Sequence, residues 1–149
     1  MDMSADSYRR RVNTINKVIA GLQRIGIVFG PMQMLTVHGR RTGRLLTFPI
    51  AVNELDGRRY IVQAFPKAAW VANARAADTV TLTRGRKAAT ARLIEVPVDE
   101  RRPLLRELVA MSPASVGNRF VTTGLSDSPT PDGVAAAADR IALFRVEPA

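Results

Sequence analysis

Chemistry in this sequence has to start from seven consecutive residues: His38, Gly39, Arg40, Arg41, Thr42, Gly43 and Arg44. The two glycines allow a tight turn and let a ligand come close to the backbone. The N–H groups of such a turn, with the Thr42 hydroxyl, can form a nest for an anion. Three arginines within five residues add guanidinium groups, which suit planar oxygen acceptors. The combination describes a pocket for a phosphate or a polycarboxylate, and an ordinary basic hairpin turn would show the same residue types. It is not the phosphate loop of nucleotide hydrolases, because the glycine spacing differs and no Lys-Ser or Lys-Thr pair follows.

A second stretch runs through Phe65, Pro66 and Lys67 to Trp70 and Asn73. Lys67 follows the end of an expected strand, a place where barrel rims commonly meet ligands. Trp70 and Asn73 stand three apart on an expected helix and so share a face. A core tryptophan with an amide beside it would look the same. Arg84, Arg86 and Lys87 form another basic hairpin, which reads as a solvated turn.

The rest of the composition excludes much. With no cysteine, disulfides, thiolate metal sites and a cysteine nucleophile are ruled out. His38 is the single histidine, which argues against a histidine-built metal site, and no metal is expected. Redox chemistry carried by an organic cofactor survives these exclusions, because the cofactor brings the reactive atoms. The formal net charge of +9 favours anionic partners such as a polyanionic ligand, nucleic acid or anionic lipid. Aromatic residues make up only 5%, which leaves few rings to stack on bases and argues against single-stranded nucleic acid.

These residues need a frame. The 149 residues amount to one domain. Val12, Ile15, Val18, Ile19, Leu22 and Ile25 recur at helical spacing, with Arg9, Arg10, Arg11, Lys17 and Arg24 between them. This predicts an amphipathic helix over 7–28, packed across the body of the fold or lying on a membrane surface. Strands are expected over 34–38, 45–52, 59–65, 79–83, 87–96 and 142–146. Pro49 inside the second marks an edge strand or a bulge, and Asp56-Gly57 signals a hairpin. Short helices are expected over 68–77 and from Asp99 to Met111. Residues 112–133, with Pro, Gly and Ser and little pattern, read as a mobile loop. The order predicts an α+β fold, mainly antiparallel, built as a closed or split barrel with an N-terminal helix and short crossing helices. The chain is read as one domain over 1–149, with an N-terminal helical arm (1–30), a barrel core (33–97) and the loop (112–133). With no signal peptide or spanning segment visible, a cytoplasmic location is expected, with peripheral contact to an anionic membrane through the N-terminal helix as an addition.

Three segments carry a family resemblance. LTVHGRRTGRLLTFPI from Leu35 to Ile50, RYIVQA from Arg59 to Ala64 and WVANARAA from Trp70 to Ala77 resemble, in order, the signatures of the deazaflavin-dependent nitroreductases. The resemblance covers about residues 33–97. It implies a split β-barrel that binds coenzyme F420, a deazaflavin whose tail carries a phosphate and several glutamates. It implies that Arg40, Arg41, Thr42 and Gly43 meet that tail, with Arg44 standing in for an arginine the family often carries at Leu45-Leu46. Lys67, after Phe65 and Pro66, is implied at the tail as well. Phe48, Pro49 and Ile50 are implied beside the deazaflavin ring, and Trp70 and Asn73 on the helix beneath it. The family's substrate-side tyrosines have no counterpart in residues 112–133. The activity implied is hydride transfer from the reduced cofactor to an electron-poor organic acceptor: a quinone, an enone or a nitroaromatic. A non-catalytic flavin, deazaflavin or lipid binder of the same fold is the alternative, and a nucleic-acid binder rests on charge alone. Self-association as a homodimer is a further expectation.

Overall fold

The structure, a computed structural model, describes residues 32–149. The helix expected over 7–28 and the arm over 1–30 lie outside the described residues.

Seven strands form one antiparallel sheet: β1 (Met32–His38), β2 (Leu45–Ala51), β3 (Asn53–Leu55), β4 (Arg58–Val62), β5 (Val80–Arg84), β6 (Lys87–Glu95) and β7 (Leu143–Pro148). Their order is β2-β1-β5-β6-β7-β4-β3. The two ends of that order are neighbours in sequence, since only Val52 separates β2 from β3. One bent segment therefore pairs with β1 through its first half and with β4 through its second, and the sheet curls round into a split barrel. Pro49 sits in β2, which has a hydrogen-bonded partner on one side only, so its missing N–H breaks no second ladder.

Strand alternation sorts the side chains into an inside and an outside. Leu35 stands opposite Phe48 on one side and Leu82 on the other, and all three face inward. Their cluster also takes Val37, Ile50, Ile61, Val80, Ala91 and Val146. Thr36, one residue on, stands opposite Thr47 and Thr81 on the outer face, and its hydroxyl lies 2.8 Å from that of Thr47.

Helix α1 (Ala69–Ala76) packs against this barrel. Its alanine-rich sequence favours a helix, and Ala68, Val71 and Ala74 bury against Ala142 and Phe144. Helix α2 (Val98–Ala110) lies on the outer side of β4 and β7, where Leu108 meets Leu55, Tyr60, Val96 and Leu143. Pro97 is its N-cap, and Asp99 stands in the first turn rather than capping it. Pro103 lies inside the helix, at its sixth residue.

The segment 112–133 differs from its expected form as a loop. It holds α3 (Ala114–Thr122) and α4 (Pro131–Ala136), followed by a single 3-10 turn (Ala138–Arg140). Phe120, Leu125 and Val134 pack with Leu105 and Val109 of α2, and Thr123 and Ser126 are buried with them. Tertiary burial outweighs weak local propensity here. The backbones come close enough that a methyl group on Gly117 would overlap the Pro129 carbonyl. Gly→Ala inside a helix normally stabilises by about 0.5–1 kcal/mol. Gly117→Ala should instead destabilise by roughly 3 kcal/mol, because the obstacle is main chain and cannot rotate away. A urea titration reads this directly, and a stabilised variant would show that α3 stands clear of the Pro129 segment.

Candidate functional site

The β1–β2 turn is closed by its own backbone. The Gly39 N–H donates to the Arg44 carbonyl at 2.8 Å, and the Gly43 N–H donates to the Gly39 carbonyl at 2.9 Å. Gly43 has φ +72° with nothing within 4 Å of where a Cβ would stand, so a side chain there would be strained but not crowded. His38 Nδ1–H donates to the Gly43 carbonyl at 2.9 Å, and the Thr42 hydroxyl accepts from the Arg44 N–H at 3.3 Å. The N–H groups of Arg41 and Thr42 have no partner among the described residues.

Helix α1 holds this turn from below. Asn73 is 3% exposed, and its Oδ1 accepts from both the backbone N–H and Nη1 of Arg40, at 3.1 and 2.9 Å. Lys67 precedes the same helix by two residues and has φ +54°, an uncommon backbone state for a lysine and one that tends to mark functional sites. Its loop is fixed by Gln63, which sequence reasoning missed. This buried side chain donates from Nε2 to the Phe65 carbonyl at 2.7 Å and accepts the Ala142 N–H on Oε1 at 3.0 Å. The only signal in the sequence was a glutamine ending an apolar strand.

Among the described residues, no ion pair takes up the charge of the β1–β2 turn. Ion pairs among the described residues join Arg75 and Arg101 to Glu95, Arg106 to Asp132, Arg140 to Asp127 and Arg145 to Glu147. Arg41, Arg44 and Lys67 take part in none of them, and their side-chain nitrogens make no hydrogen bond among the described residues. Glu95 does structural work instead: Arg75's hydrogen bonds hold its carboxyl below the usual carboxylate range, against the opposing effect of burial. Two cations, Arg41 and Arg44, on a turn with two N–H groups unpartnered among the described residues fit a ligand with several negative charges. No group of His, Asp and Glu that could hold a metal is present among the described residues.

The geometry separates the residues expected at a flat ring. Trp70 packs on Phe48 with ring centroids 6.4 Å apart, and on Phe144 at 5.5 Å. Phe48 and Ile50 face the barrel interior, whereas Pro49 stands opposite Met34 on the outer face. A ring held between Trp70 and Pro49 is therefore not what the fold provides, because Phe48 fills the space under Trp70 and Pro49 points the other way. Arg40 and Asn73 are joined to each other, and Phe65 and Pro66 belong to the Gln63-anchored loop. The 112–133 segment packs on α2 through Phe120 and Leu125.

A curled antiparallel sheet of this topology, with crossing helices, defines the split-barrel class. The profile of the F420H(2)-dependent quinone reductases matches residues 6–125. The chain belongs to this family of oxidoreductases, which use coenzyme F420. Among solved structures, one described as an F420-H2-dependent reductase aligns with 23% identity over 81% of this chain and 98% of its own, with a TM-score of 0.50. A pyridoxamine 5'-phosphate oxidase-related, FMN-binding protein from Nostoc punctiforme aligns at 12% identity over 89% and 78%, with a TM-score of 0.54. A structure described as a domain-swapped dimer aligns at 20% identity over 95% and 98%, with a TM-score of 0.50. At these identities the likeness is one of fold. No curated protein matches the chain. Among the described residues, no helix is long and apolar enough to cross a membrane.

Proposed function

We infer that the chain carries a hydride from reduced F420 to a quinone. The observation that supports this most directly is the set of cations at the β1–β2 turn and Lys67 that have no partner among the described residues, in a chain whose family is F420-dependent. Arg41, Arg44, Lys67 and the free N–H groups of Arg41 and Thr42 hold the phosphate and glutamates of the tail. Pro49, with Thr36 and Thr47 on the same face and Met34 opposite, offers a wall for the ring. Bound here, the reduced deazaflavin supplies a hydride and so the two electrons of the reaction. The chain supplies position and charge, with no side chain required as an obligatory acid. Enones and nitroaromatics are electron-poor in the same way and are the next acceptors to try. One structural neighbour is described as a domain-swapped dimer, and self-association of this chain is a matching expectation.

Titration against F420, FMN and FAD side by side tests the cofactor. F420 should bind at least tenfold more tightly than FMN, and raising the salt should weaken it, since the contacts are largely charge to charge. Equal affinity for F420 and FMN at low salt would overturn this assignment. Steady-state turnover with a soluble quinone then separates an enzyme from a carrier, which would bind and not turn over.

A further inference from the structure

We propose that Asn73 is a positioning residue that acts on the anionic tail through Arg40 and does not touch the deazaflavin ring. This rests on the F420 reading above. Asn73 lies in α1, Arg40 lies 33 positions earlier in the β1–β2 turn, and one buried oxygen accepts two hydrogen bonds from Arg40. The bond from the main-chain N–H fixes where the turn begins. The bond from Nη1 fixes the direction of the guanidinium. Because both donors converge on it, this atom must be the amide oxygen; the amide nitrogen could not accept them.

The consequence is a division of labour among the three arginines. Arg40 points down to α1 and is tied there, so its side chain is largely committed to holding the turn. Arg41 and Arg44 follow on the exposed part of the same turn with no partner among the described residues. They present the charge, and the Asn73–Arg40 link sets where that charge stands. Helix α1 is itself held at its far end, where Arg75 makes two hydrogen bonds to Glu95, at 2.9 and 2.7 Å. Trp70 meanwhile is spent on Phe48 and Phe144 within the barrel. The turn is thus registered against a helix that cannot drift. That matters because a polyanion of fixed spacing is gripped only by cations held at matching positions.

Two probes separate this role from ring contact: F420 itself and the deazaflavin chromophore lacking phosphate and glutamates. Asn73→Ala should weaken F420 binding roughly tenfold, the loss of about one charge-assisted hydrogen bond's worth of alignment. It should leave binding of the tail-less chromophore within twofold of the parent. Amide hydrogen exchange at Arg40 should accelerate in the same variant, because its N–H loses its acceptor. Arg40→Ala lies on the surface, spares Asn73 and should shift F420 binding in the same direction. The double variant should be no worse than the weaker single one, as expected when two residues act as one unit. The proposal is overturned if Asn73→Ala weakens both probes equally, which would mean contact with the ring, or if it leaves F420 affinity unchanged. If the parent protein binds the tail-less chromophore but not F420, the F420 reading fails and this inference fails with it.

Discussion

Replacing Arg101 with methionine should lower the stability of the fold by about 3–5 kcal/mol, the range expected when a buried charged group that satisfies several partners is removed. Arg101 is 5% exposed and lies in the first turn of α2. Its guanidinium donates to the Val96 carbonyl from Nε and Nη2, at 3.1 and 2.8 Å, and from Nη1 to the carbonyls of Ala138 and Ile141, at 2.7 and 3.1 Å. Those carbonyls come from three places: the end of β6, the 3-10 turn and the approach to β7. Burial pulls Arg101 below the usual arginine range, and Glu95, 3.5 Å away, opposes that shift. Methionine keeps much of the bulk and none of the donors, so the carbonyls would be stranded in a dry environment. In a chain of this length the loss corresponds to a melting temperature lower by roughly 10 °C. An unfolding free energy from urea titration that falls by less than about 1 kcal/mol would show that water replaces the guanidinium without penalty.

The second large effect is on binding. Arg41→Ala combined with Arg44→Ala should weaken F420 by at least a hundredfold, since charge-assisted hydrogen bonds contribute about 1.5–3 kcal/mol each. The apoprotein's melting temperature should hardly change, because both side chains are exposed and have no partner among the described residues. The salt dependence of F420 binding should flatten in the same variant. An unaltered dissociation constant would return the β1–β2 turn to a plain basic hairpin, and would move the search for the tail to Lys67 and the β5–β6 turn.

Much of the strand framework was legible because alternation is a short-range signal. Leu35 and Val37 against Thr36, or Val80 and Leu82 against Thr81, reveal a half-buried strand without knowledge of the neighbours. The helices of 114–136 were not legible as a pair. Ala114–Thr122 contains Gly117, Thr122, Val116 and Val121, all poor helix formers, and its support comes from α2 across the fold. One end did carry a readable mark. Thr130 accepts the Gly133 N–H on its hydroxyl at 3.0 Å, with Pro131 and Asp132 in the first turn, which is the usual start of a helix. At the site, residue types pointed to a pocket for a polyanion, and the turn carries exposed arginines whose side chains have no partner among the described residues. Which residues face each other was another matter. Phe48 and Pro49 are adjacent in sequence and therefore on opposite faces, and the burial of Asn73 under Arg40 depends on a contact across 33 positions. Neither residue type nor spacing encodes such a pairing.

The bent β2–β3 segment has a consequence for how the protein is made. It brings the two ends of the sheet together, but the ring is complete only when β7 fills the slot between β6 and β4. That strand lies some eighty residues beyond β4, counting from Val62 to Leu143. A ribosome that has released everything up to Ile141 has therefore produced two rows of unpaired N–H and carbonyl groups, on β4 and on β6. Such rows are templates for pairing with a neighbouring chain. The same gap, filled by β7 from a second molecule, would yield an exchanged dimer with every native hydrogen bond in place. Crowded polysomes or slow translation near the end of the message should therefore favour exchange, and the monomer should be obtained most cleanly where nascent chains are dilute.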